Sequence, residues 1–183
     1  TTSLGVDVSI AGTLSVASGV FAIGAFDVSS VGAVNMTGTS ITGTGTLTLA
    51  GDVTTNASAT ASTIAVPIAL GGSTRTFNVD DTAAIPDLNV TGAISGGGGI
   101  IKTGIGSMNL ANAGNSYTGS TTANQGILRI AAFGGTIPNG SALIVNSTLD
   151  LNGYSETVGS LAGIGTVTSN AGATMTLTAG GDN

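Results

Sequence analysis

Two carboxylates, Asp150 and Glu156, flank an Asn152-Gly153 turn, and Asp80 and Asp81 are adjacent in the chain. Paired carboxylates are the groups with which glycosidases protonate a leaving oxygen and attack a sugar. Asp150 and Glu156 can approach each other around the turn. Asp80 and Asp81 cannot share a substrate on an extended chain, because neighbours point to opposite faces. A solvated turn ahead of Pro86 accounts for them. Beyond these pairs the chemistry thins out. The chain has no His and no Cys, which removes Ser-His-Asp catalysis, His-assisted metal centres and thiolate ligands. Asp27, Asp52 and Asp182 stand apart in sequence, whereas calcium needs several oxygens together; surface solubility explains them.

The glycine clusters fail as nucleotide motifs. Gly96–Gly99 invites comparison with a phosphate loop, yet Lys102 follows Ile101, so G-x-x-x-x-G-K-[ST] is not met. Gly104-Ile-Gly106 has Asn109 where a dinucleotide fingerprint needs a third glycine. Tight chain corners explain these glycines. A glycan-cleaving groove also needs aromatic and cationic residues. Only 3% of residues are aromatic, and Arg75, Lys102 and Arg129 are the three cations. The expectation is therefore no catalytic, cofactor-binding or metal site and no cofactor, with a glycan-acting β-helix enzyme as a remote alternative.

The elements that would carry any site are short strands. Gly12–Val16, Gly32–Met36, Gly45–Leu49, Gly106–Leu110, Gly126–Ile130, Ser147–Leu151 and Ala173–Leu177 share one grammar. Each has a glycine or small residue and then alternating apolar and polar side chains, the period of a strand. Leu4–Ile10 alternates in the same way and is read as a strand. Turn residues separate the strands at Asn112–Asn115, Pro138–Gly140, Asn152-Gly153 and Asn170–Gly172. No segment keeps a helical apolar period, and the 31 glycines interrupt any candidate helix.

Composition narrows the class. Charged residues make up 7% of the 183 residues, against roughly 25% in ordinary soluble domains, while mean hydropathy is positive. Such a chain folds, with a core of Val, Ile, Leu and Ala. Several strand signals recur about one solenoid coil apart, roughly 20 residues. Scarce aromatics and this long spacing favour a parallel β-helix over an antiparallel sandwich, with about nine coils stacked at ~4.8 Å into a rod of about 40–45 Å. The net charge of −6 and the scattered cations exclude a nucleic-acid face. No apolar run reaches the roughly 18 residues of a membrane helix. No signal peptide opens the chain at Thr1, so the sequence is read as a mature chain or a fragment. The absence of Cys fits a bacterial exported protein that crosses a periplasm without oxidative trapping.

Gly98–Leu110, then Asn115-Ser-Tyr-Thr-Gly-Ser-Thr-Thr122 and Gly126-Ile-Leu128, closely resemble the autotransporter-associated β-strand repeat, also called the passenger-associated transport repeat. Its loose pattern is L-x-K-x-G-x-G-T-L-x-L, then N-x-Y-x-G-x-T and G-x-L, with Ser107, Met108 and Asn109 departing conservatively. Lys102 and Tyr117 match the pattern without assigned chemistry; a lysine with a buried stem and a tyrosine packed over a coil corner are the expected roles. Looser likeness extends through Gly51–Asn56, Arg75–Val79, Leu149–Gly153 and Val158–Leu161. The resemblance implies an all-β, right-handed parallel β-helix (β-solenoid) over residues 1–183, within a large exported surface protein whose repeat aids export and folding. No C-terminal membrane barrel follows within these residues.

The function expected is a non-catalytic passenger or stalk segment, or adhesin scaffold, at a bacterial cell surface. The alternative is a subunit of an extracellular filament or sheath that assembles by end-to-end stacking. Expected partners are further repeats or other copies at open strand edges, and host or surface glycans or proteins. No nucleic-acid partner and no membrane insertion of this segment are expected.

Overall fold

The computed structural model describes residues 2–169 and 174–180. The chain winds as a parallel β-solenoid with three faces and no helix among these residues; accordingly no helix is long and apolar enough to cross a membrane. The first face is a 9-stranded sheet from Thr2–Ser3 through Leu88–Val90 and Ser107–Leu110 to Thr166–Thr168. The third face is an 8-stranded sheet from Thr13–Val16 through Ile100–Thr103 to Ser160–Ala162. The second face begins as a 5-stranded sheet from Val8–Ser9 to Ile94–Ser95 and resumes as the pair Glu156–Val158 and Leu177–Ala179. All of these ladders are parallel.

The alternation read in the sequence becomes vertical stacks of like side chains. On the first face Phe21, Ile41, Ile64, Val90, Leu110 and Ile130 lie one above the next. Beside them run Leu88, Met108, Leu128 and Leu149, all fully buried. The second face contributes Val28, Leu47, Ile68 and Ile94. β-Branched and aliphatic side chains suit this geometry because each layer repeats the shape of the one below.

The corners need little space. A Cβ on Gly98 would run into the carbonyl of Ser73 in the previous turn, and one on Gly99 into the backbone of Ser120 in the next. The cluster Gly96–Gly99 is thus a corner where neighbouring turns touch backbone to backbone, as the sequence suggested. Asn152 (φ 47°) and Gly153 (φ 89°) form another corner in the left-handed region, which Asn and Gly adopt most readily.

One count is refined and two expectations need correction. The described residues complete eight turns and part of a ninth, where about nine were expected. The turn between Ser62 and its register partner Leu88 is lengthened by the excursion through 80–87, so the same residues make fewer layers. Leu4–Ile10 is not one strand: only Val8–Ser9 pairs, and Val6 is 66% exposed. At the far end the strand is Leu177–Ala179, and 174–176, expected in a strand, precede it as irregular chain. Ala173, the Asn170–Gly172 turn and Asp182 lie outside the described residues.

Candidate functional site

One group of polar residues inside this stack lies where the second face loses its strands. Between Ile94–Ser95 and Glu156–Val158 two successive turns cross that face as irregular chain, and side chains do the pairing. Asn115 sits over Ile94. Its Oδ1 accepts from the Ile94 N–H at 2.7 Å, and its Nδ2 donates to the Thr136 carbonyl one turn on at 2.7 Å. Thr136 then donates both its N–H (3.0 Å) and its hydroxyl (3.1 Å) to Glu156 Oε2. A single column, Ile94–Asn115–Thr136–Glu156, thus carries the ladder across the gap. Tyr117, 1% exposed, lies in the same gap. Its hydroxyl shares a 2.6 Å hydrogen bond with Thr121 Oγ1, which bonds on to Ser141, whose hydroxyl donates to the Gly119 carbonyl. Burial pushes the Tyr117 phenol well above its ordinary pKa; the bond to Thr121 opposes this and the Glu156 charge adds to it. Tyr117 is therefore a core residue, not a cover over a corner.

Lys102 occupies an inward position of the third face, in register with Val34, Val53, Phe77, Ala123 and Val145. The whole side chain is buried, at 1% exposure, not its stem alone. Its Nζ donates to the carbonyls of Thr103 (2.7 Å), Gly104 (2.8 Å) and Gln125 (3.1 Å). An ammonium has three donors, and all three are used. Burial lowers its pKa to about 8, opposed by the negative charge of Asp87. Asp87 is itself 2% exposed and accepts from Ser107 N–H (2.6 Å), Ser107 hydroxyl (2.9 Å), Thr82 N–H (2.8 Å) and Thr82 hydroxyl. Burial works to raise its pKa, but these donors outweigh it and hold the carboxyl below its ordinary value. The sequence reading passed over Asp87. Its one usable signal was a charge placed directly before the inward Leu88.

The pairing of Asp150 with Glu156 is not formed. Asp150 ends the first-face strand Thr148–Asp150, where Oδ2 accepts from Arg129 Nε at 2.9 Å and Oδ1 from Asn152 N–H at 2.9 Å. Glu156 starts a second-face strand. The Asn152-Gly153 corner lies between them, so the two carboxyls belong to different faces. Burial raises the Glu156 pKa, offset in part by the Thr136 hydrogen bonds. Asp80 and Asp81 lie in loop, half-buried and exposed respectively. Asp27 and Asp52 act at corners: each accepts a backbone N–H of the next turn, from Thr46 at 2.7 Å and Thr76 at 2.8 Å. Arg75 donates to the carbonyls of Leu70, Ala50 and Leu49. The three cations, with Asp27, Asp52, Asp87, Asp150 and Glu156, therefore tie one turn to the next. Among the described residues no group of three acidic side chains could hold a metal ion.

Residues 100–130, which span Lys102, Asn115, Tyr117 and Thr121, match the family model of the passenger-associated-transport-repeat. The chain carries a passenger-associated-transport repeat. The repeat begins on a third-face strand and ends on the first-face strand Ile127–Ile130, and it contains the first strandless crossing of the second face. The chain is also similar to the adhesin BmaC autotransporter of Brucella suis biovar 1 (strain 1330), 36% identical over 118 residues. That similarity covers 61% of this chain and 3% of the relative, so the chain spans a small piece of the curated protein it matches. No solved structure matches. The repeat's polar positions thus acquire physical roles: Lys102 ties three carbonyls at one corner, and Asn115 replaces a strand.

Proposed function

We propose that this chain is a non-catalytic structural segment of the passenger of an exported, cell-surface bacterial protein, serving as a stalk or adhesin scaffold. One observation carries the reading: a parallel solenoid whose repeat at 100–130 matches the passenger-associated family and whose similarity extends to an autotransporter adhesin. The local chemistry supports it. The charged side chains described above hold turns to turns, and a solenoid stabilised mainly by nearest-neighbour layers can form progressively as a chain emerges from a membrane. In this reading residues 1–183 form one solenoid unit, with further repeats of the same protein stacked on it and host or surface glycans or proteins as external partners. Antibodies against this chain should label intact cells of the bacterium that makes it, and protease added to those cells should remove the label. Labelling only after the cells are permeabilised would overturn the reading.

A second reading, assembly of copies end to end, has one specific support. Leu161 and Val167 continue inward stacks, yet are 47% and 38% exposed. Another turn, from the same chain or from another copy, would cover them.

A further inference from the structure

The dipeptide Asn-Gly stands at Asn139-Gly140 and again at Asn152-Gly153, and the fold treats the two differently. Asn-Gly is open to an internal reaction in which the glycine nitrogen attacks the asparagine side-chain carbonyl carbon. Glycine has no Cβ to stand in the way. Both pairs occupy the central positions of a tight turn. Ser141 N–H donates to the Pro138 carbonyl at 2.7 Å across the first, and Tyr154 N–H to the Leu151 carbonyl at 2.8 Å across the second. The Asn–Gly peptide is the middle unit of each turn, which the closing hydrogen bond leaves free to rotate. Whatever restrains it must come from outside the turn.

At Asn152-Gly153 the neighbouring turns supply that restraint. Gly153 N–H, the attacking group, donates to Ser169 Oγ at 3.0 Å. Asn152 Nδ2, the leaving group, donates to the Ile130 carbonyl at 3.1 Å. Asn152 N–H is tied as well, to Asp150 Oδ1 at 2.9 Å, and both residues are half-buried. Asn139 and Gly140 are both exposed. Among the described residues no hydrogen bond holds the Asn139 side chain or the Gly140 N–H. A Cβ on Gly140 would meet nothing within 4 Å, so this turn has room to move.

We propose that Asn139 is a modification site at which the folded protein deamidates by itself, while Asn152 in the same dipeptide is protected. Gly140 N bonds to Asn139 Cγ and gives up its proton. The Cγ–Nδ2 bond breaks, and the amide nitrogen leaves with that proton as ammonia. The resulting succinimide takes up one water. Opening at Cγ gives aspartate; opening at the main-chain carbonyl gives isoaspartate, with the backbone rerouted through the side chain. Water is the sole co-reactant. Either product sets a new carboxylate on the surface and takes the formal charge of −6 one unit lower. The inference goes beyond the passenger reading and does not depend on it, since both turns belong to this chain whatever protein contains it.

For the test, the purified native chain is held in mildly alkaline buffer made with heavy-oxygen water, and its peptides are mapped by mass spectrometry at intervals. Heavy oxygen enters only where deamidation occurs during the incubation, and an isoaspartyl methyltransferase assay marks the isomeric product. Labelled acid is expected at Asn139 at least about tenfold faster than at Asn152, whose attacking and leaving groups each hold a hydrogen bond. In urea, where neither turn persists, the two sites should react alike. Gly140→Ala should suppress the reaction at Asn139 with the fold intact, because its methyl group finds open space yet crowds the attacking nitrogen. Ser169→Ala frees the Gly153 N–H and should speed the reaction at Asn152; if that variant unfolds, the two native sites still decide. Equal rates at the two sites of the folded chain would overturn the inference. So would an unlabelled Asn139 in the folded chain, or a Gly140→Ala variant that labels there as fast as the native chain.

Discussion

Lys102 is held as an ammonium by three backbone carbonyls inside an apolar stack, and its burial has a pH signature. The unfolded chain keeps this proton up to the ordinary value of 10.5, the folded chain only to about 8. Below pH 8 both states are protonated and the desolvation cost is fully present. Between about 8 and 10.5 the unfolded state binds more protons, so stability from this group rises with pH. Urea unfolding of the native chain and of Lys102→Met at pH 7.5 and pH 9.5 (both set by the shift just described) should show the native chain gaining relative to the variant. An equal difference at both pH values would mean that Lys102 is not a buried ammonium. Asn115 poses a simpler test. Asn115→Ala would leave the Ile94 N–H and the Thr136 carbonyl without partners, each costing about 1–3 kcal/mol when buried. A loss on the order of 2–4 kcal/mol is expected in denaturant unfolding. Asn115→Asp keeps the acceptor for Ile94 but sets a carboxylate oxygen against the Thr136 carbonyl, so it should cost at least as much as Asn115→Ala. In this chain the Lys and the Asn of the repeat motif thus hold one turn to the next.

At the scale of elements, strands were legible where alternation coincided with a corner glycine. Gly32–Met36 and Gly126–Ile130 were read correctly apart from the leading glycine, which belongs to the corner: the strands are Ala33–Met36 and Ile127–Ile130. Leu4–Ile10 alternates equally well but forms no continuous strand, because the chain bends at Gly5-Val6 from the first face to the second, while Leu4 and Ile10 on either side still donate to the Ala22 and Ser29 carbonyls of the next turn. The two strandless crossings of the second face were invisible for the opposite reason. Asn115 and Thr136 read as turn residues, and only their vertical alignment turns them into a ladder. Corner glycines make this scale testable. Gly98→Ala places a methyl group against the Ser73 carbonyl of the turn below, whereas Gly140→Ala meets nothing within 4 Å. Thermal melting should show Gly98→Ala strongly destabilised, by about 3 kcal/mol or more, and Gly140→Ala within about 0.5 kcal/mol of the native chain. Equal effects would mean that the turns do not approach at that corner.

The whole molecule is a stack of eight turns, and at ~4.8 Å per layer it is about 38 Å long. Electron microscopy of the purified chain over a concentration series should show separate short rods of that length if it is a segment of a longer passenger. Filaments that lengthen with concentration and repeat at about 38 Å would instead support end-to-end assembly through the exposed Leu161 and Val167. In that case Leu161→Asp, at an inward position 47% exposed, should abolish the filaments while single rods persist.

The parallel solenoid, the family resemblance and the scarcity of groups for catalysis were all legible in the chain of residues. These follow from composition and from a spacing that local chemistry repeats along the chain. The alternation at Gly106–Leu110 and the glycine cluster at 96–99 needed no third dimension to be read. The number of turns, the burial of all of Lys102 and the separation of Asp150 from Glu156 emerged with the folded stack. Each of these depends on which residue lies one turn above or below, and that alignment changes with every loop insertion. The excursion through residues 80–87 lengthens one turn, and the Asn152-Gly153 corner sends two nearby carboxyls to different faces. Spacing along a chain fixes a period, but which side chains meet across turns is set by register, and register is a property of the folded stack.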